Sequence, residues 1–133
     1  MTDNNASRRQ HPADPHGELG ISVELTEQGH ILVVTAHGAI DFWNVGPLQE
    51  KLHDTLRAGV TRIVLDLGDV SFVDSTGLGL LVSLDNRTNA ENGWLRVADP
   101  QPAVRRVMHT TMLDERLQLY STVEAALSEP EAS

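Results

Sequence analysis

The sequence predicts an α/β domain with a mostly parallel sheet of about five strands, an antiparallel hairpin at its N-terminal edge and about four helices. Three observations predict it. Apolar runs at residues 31–34, 63–67 and 94–98 are each followed, after turn residues, by a segment with helical spacing. Strands alternating with helices require crossovers, and crossovers join parallel strands. Ahead of them, Ile21-Ser22-Val23-Glu24-Leu25 alternates, Glu27-Gln28-Gly29-His30 supplies turn chemistry and Ile31 resumes a strand, which reads as a hairpin. With 133 residues and 40% hydrophobic content, the chain fills one core, so a single domain is expected.

The remaining elements follow in order. Residues 46–58 read as a helix with Leu48, Leu52, Thr55 and Leu56 on one side and Glu50, Lys51, Asp54 and Arg57 on the other, ended by Gly59. A strand at 62–67 leads to the joint Asp74-Ser75-Thr76-Gly77 and a helix running to about residue 91, where Asn92-Gly93 turns the chain. Residues 94–98 form the next strand. Pro100 and Pro102 open a helix whose Val104, Val107, Met108 and Met112 share a face, Leu117-Gln118-Leu119-Tyr120 is the last strand, and Val123, Ala126 and Leu127 close a short helix. Residues 1–18, rich in Asn, Asp, His, Pro and Ser, are expected to be a flexible N-terminal tail, 19–128 the folded domain, and 129–133 a C-terminal tail.

Charge and composition remove several functions. The net charge is −9, and Arg8 and Arg9 against Asp3, Asp14 and Glu18 leave only −1 of it in the first 18 residues. An acidic domain surface repels nucleic acid and anionic lipid, so no direct nucleic-acid binding and no membrane insertion are expected. The absence of cysteine excludes disulfides, thiolate metal sites and cysteine catalysis. No apolar core of signal-peptide length and no run of about 18 apolar residues occurs, which fits a cytoplasmic protein.

The joint carries the chemistry. A helix start presents unpaired N–H groups and partial positive charge, so a hydroxyl or phosphate there finds donors already arranged. The residues around it have a family likeness: Phe72-Val73-Asp74-Ser75-Thr76-Gly77-Leu78-Gly79, preceded by Ile63-Val64-Leu65-Asp66-Leu67, resembles the signature of the STAS domain family, specifically the bacterial anti-sigma-factor antagonists. Gly38-Ala39-Ile40-Asp41 resembles the family's pattern at the end of an early strand, and Gly93, strand 94–98, helix 104–108 and Leu113 fall in the expected order. The resemblance extends over about residues 20–127.

That resemblance implies partner switching. Ser75 matches the serine that an anti-sigma factor, itself a serine kinase of the GHKL type, phosphorylates. The unphosphorylated antagonist binds this kinase and frees the sigma factor, phosphorylation breaks the complex, and a phosphatase acting on phospho-Ser75 resets the cycle. ATP and magnesium belong to the kinase, so neither cofactor, metal site nor catalytic residue is expected in this chain. Asp41, Asp74, Thr76 and Gly77 are expected to form the phosphosite environment and partner surface. The alternative is a non-catalytic STAS scaffold of a signalling assembly or a transporter-associated complex, without a phosphorylation cycle.

Simpler readings of the same residues stand beside these. Asp74 or Ser75 alone would be a helix cap, Asp41 alone a solvated strand-end carboxylate, and Thr76 a residue that helps start the helix. Close contact between helix and sheet would explain both Gly77 and Gly79. Gly77-x-Gly79 lacks the third glycine of a dinucleotide fingerprint and the lysine of a P-loop. Val73 stands where a nucleophile elbow needs glycine, and the six histidines show no metal-ligand spacing. Two departures from the family pattern remain. Phe42-Trp43 follows Asp41, with Phe42 expected in the core, and Met112 stands before Leu113 where many relatives have glycine.

Overall fold

A computed structural model describes residues 19–26, 30–128 and 130. The two expected tails fall outside these residues apart from Pro130, as do residues 27–29 of the expected hairpin turn. Five strands form one sheet in sequence order: β1 (Gly20–Leu25), β2 (Ile31–Ile40), β3 (Arg62–Val73), β4 (Trp94–Ala98) and β5 (Gln118–Tyr120). β1 runs antiparallel to β2, and every later pairing is parallel. Among the described residues the α-helices are α1 (Val45–Arg57), α2 (Ser75–Ala90), α3 (Pro102–Thr110) and α4 (Val123–Ser128), with a 3-10 turn at Leu113–Glu115.

Strand alternation divides the apolar residues between two faces. Leu32, Val34, Ile63, Leu65, Leu67, Leu95 and Val97 form the main core with Leu48 and Leu52 of α1, Leu81 and Leu84 of α2, and Val104 and Met108 of α3. The opposite face carries a smaller cluster of Val64, Trp94 and Ala98 beneath Ala126 of α4. Arg96 lies buried there, its guanidinium 3.8 Å from the centre of the Trp94 ring. Its Nη1 donates to the Ala126 carbonyl at 2.8 Å and its Nη2 to the Pro130 carbonyl at 3.3 Å. A cation at a helix C-terminus also meets the negative end of the dipole, so Arg96 fastens α4 to the sheet.

Two expectations change. The strand expected at 62–67 continues to Val73, because β3 absorbs two extra residues through register shifts opposite Thr35/His37 and Gly38/Ala39. Such bulges interrupt the two-residue alternation that marks a strand in sequence. Met112 does not share the helical face of Val104 and Met108: α3 ends at Thr110, and Met112 is exposed with φ +63°. A left-handed backbone at this point favours glycine over a side chain. Gly93 is required by its surroundings, since a Cβ there would lie 1.9 Å from the Thr61 carbonyl oxygen.

Candidate functional site

The site is built where β2 and β3 end. Their register pairs Ile40 with Val73, so Asp41 and Asp74 leave adjacent strands at one level, and the Asp74 N–H donates to the Ile40 carbonyl at 3.1 Å. Asp74 is the N-cap of α2: its Oδ1 accepts from the Gly77 N–H at 3.1 Å. Its other oxygen accepts from the Phe42 N–H at 3.0 Å. One carboxylate therefore ties the start of α2 to the loop between β2 and α1.

Ser75 is the first residue of α2 and is exposed, while Thr76 behind it is half-buried. Because Asp74 supplies the cap, the Ser75 hydroxyl is not needed to hold the helix end. Gly77 is buried, and a Cβ there would come within 2.7 Å of Val73 Cγ1, 2.9 Å of Ile40 Cγ2 and 3.2 Å of the Ile40 carbonyl oxygen. Only glycine lets α2 start this close to both strand ends. Gly79 has nothing within 4 Å of a Cβ, so the close-contact explanation holds for Gly77 and fails for Gly79.

Asp41 is not a solvated strand-end carboxylate: it is only 6% exposed. Its Oδ1 accepts from the Trp43 N–H at 2.9 Å and the Asn44 N–H at 3.1 Å, while Asn44 Oδ1 accepts from the Asp41 N–H at 2.9 Å. Asn44 Nδ2 also donates to the Ala39 carbonyl at 2.7 Å. This reciprocal bonding satisfies the polar groups of the turn and sets its shape. Asn44 lies outside the motifs of the family likeness, and the Asp-x-x-Asn spacing is the sequence signal for such a turn.

The turn displays aromatic surface. Phe42 is 66% and Trp43 68% exposed, with ring centroids 5.4 Å apart and planes at 84°. Phe42 is thus not a core residue: its backbone is held at Asp74, and its ring packs edge-on against Trp43. Phe72, one residue before the end of β3, is 52% exposed. Three of the chain's five aromatic residues lie exposed on the segments flanking Ser75. Aromatic side chains in such positions are the commonest anchors of protein interfaces.

A family model, described as the STAS domain, matches residues 22–126. The chain belongs to the STAS domain family. This STAS domain is 25% identical to an anti-sigma F factor antagonist of Paenibacillus polymyxa over 114 residues, covering 85% of this chain and 97% of that one. It superposes with a TM-score of 0.75 on the crystal structure of an anti-sigma factor antagonist from Mycobacterium paratuberculosis, at 30% identity over 86% of this chain and 94% of that one. SpoIIAA, the Bacillus cell fate determinant, has been solved in both phosphorylation states. The unphosphorylated form matches with TM-score 0.70 and 25% identity over 81% of this chain and 93% of that one. The phosphorylated form gives 0.65 and 24% over 81% and 96%. Among the described residues, no helix of the STAS domain is long and apolar enough to cross a membrane.

Proposed function

We propose that this chain is an anti-sigma-factor antagonist controlled at Ser75. Unphosphorylated, it binds an anti-sigma factor that is a serine kinase of the GHKL type and thereby releases the sigma factor. Phosphorylation of Ser75 ends that binding, and a phosphatase restores it. The observation that carries this reading is the exposed Ser75 hydroxyl at the first position of α2, spared from capping by Asp74 and flanked by exposed Phe42, Trp43 and Phe72. The relatives named anti-sigma factor antagonists and the two solved phosphorylation states of SpoIIAA support it.

The chemistry follows from that placement. A phosphoryl group adds about −1.5 to −2 charges beside Asp74 at neutral pH. Helix N–H groups favour it on one side, and the Asp74 carboxylate repels it on the other. Repulsion acts on the group that holds the Phe42 N–H and the helix cap, so the charge reaches the aromatic loop through one residue. Within a desolvated interface, an unpaired added charge costs several kcal/mol without any refolding of the domain. Asp41 and Asn44 contribute by shaping the loop, and Gly77 by letting α2 begin at the strand ends.

The test is phosphate mapping with the anti-sigma kinase of the same organism. Incubation with kinase and ATP is expected to add one phosphate, at Ser75, and none to Ser75→Ala. Phosphate on Thr76 alone, or none on a protein that binds the kinase, would overturn the assignment.

A further inference from the structure

A second site emerges from the basic residues of this acidic chain, which holds 19 acidic residues against 10 lysines and arginines. With carboxylates so abundant, several guanidiniums are already engaged. Arg57 pairs with Asp54, Arg116 reaches Asn86 and Asp85, and Arg96 is buried under α4. Among the described residues, the guanidiniums of Arg105 and Arg106 have no ion pair or hydrogen bond, although both are exposed. They open onto one pocket of about 360 Å³, lined by Pro102, Arg105, Arg106, His109, Asp114 and Leu119.

The spacing explains why these residues meet. Pro102, Arg105, Arg106 and His109 stand at i, i+3, i+4 and i+7 along α3, one face of the helix, while Val104 and Met108 bury the other in the core. Leu119 of the edge strand β5 and Asp114 of the turn before it complete the pocket. His109 Nδ1 lies 2.8 Å from Asp114 Oδ2. A carboxylate only accepts, so Nδ1 donates to it, and this bond engages Asp114. The one acid in the pocket is thus engaged. The pocket between α1 and α2 contrasts with it: it contains Glu91 beside Arg87, and its Arg57 is held by Asp54.

We propose that the α3 pocket binds the phosphate group of a small phosphate monoester. Arg105 and Arg106 form the anion clamp, since two planar guanidiniums match the oxygens of a phosphate bidentately. His109 and Asp114 line the pocket beside them, and Pro102 with half-buried Leu119 forms the wall for the organic part of the ester. None of these residues belongs to the Ser75 site, so the inference stands independently of the partner-switching reading.

The test is an NMR titration of the full chain with inorganic phosphate and with phenyl phosphate, following the Arg105 and Arg106 side chains, the His109 ring and the Leu119 methyls. Saturable shifts confined to these groups are expected, with phenyl phosphate binding several-fold more tightly because its ring meets the apolar wall. Joint substitution Arg105→Gln and Arg106→Gln is expected to weaken both probes by at least about tenfold. Ser75→Ala is expected to bind like the wild type. Absence of saturable shifts up to about 10 mM of either probe, or unchanged affinity in the double variant, would overturn the site. Equal affinity for the two probes would overturn its assignment to an ester.

Discussion

Gly77 and Gly79 sit two residues apart on α2 and respond to an added methyl group with opposite signs. At Gly77 the methyl meets Val73, Ile40 and the Ile40 carbonyl, so Gly77→Ala is expected to destabilise the fold by about 1–3 kcal/mol through overpacking. At Gly79 it meets nothing, and Gly79→Ala is expected to stabilise by about 0.5–1 kcal/mol, because alanine is the better helix former. Urea unfolding of both variants checks the pair. Met112 offers a third residue-scale case. Its left-handed backbone strains a side chain that is 60% exposed and packs little, so Met112→Gly is expected to gain up to about 1 kcal/mol in the same measurement. The Asp74-Ser75-Thr76-Gly77 motif was legible in the sequence at this scale. The exposure of Phe42 was not, because hydrophobicity argues for burial and one of the bonds that hold that loop outward comes from Asp74, 32 residues away in sequence.

At the scale of elements, the junction of β2, β3, α1 and α2 depends on one carboxylate with two separate duties. Asparagine at position 74 offers a single acceptor oxygen, so it keeps either the Gly77 cap or the Phe42 tether, but not both. Asp74→Asn is therefore expected to cost about 1–2 kcal/mol and to speed hydrogen exchange at either the Phe42 or the Gly77 amide. Unchanged exchange at both would contradict the bridging role. α2 also buries Asp85, whose pKa burial raises, with nearby Arg116 and the Asn89 side chain pulling it back only in part. The folded state thus holds the proton more tightly than the unfolded chain does. Stability from this group is full below the ordinary carboxylate range and is lost as pH rises through the raised value. Thermal unfolding from acid to neutral pH is expected to show that loss in the wild type and not in Asp85→Asn.

At the scale of the whole molecule, the sheet and its helices were readable from periodicity because each element buries one face in one core. The end of the sheet that builds the site was less readable. Past Thr35 and Asp66 the register of β2 and β3 shifts twice, so sequence alternation marks the strand only as far as Leu67. Those bulges lengthen β3 until Val73 stands opposite Ile40, and this brings together two aspartates whose pairing no local pattern reveals. The result is an α/β frame of net negative charge, which carries an exposed hydroxyl between a helix start and an aromatic loop. In the proposed switch, function rests on charge at a single position. The most direct measurement is the affinity of the purified anti-sigma kinase for the Ser75→Ala protein and for the phosphorylated wild type. A charge buried at the interface predicts tight binding of Ser75→Ala and at least about a hundredfold loss on phosphorylation. Equal affinities would contradict the switch.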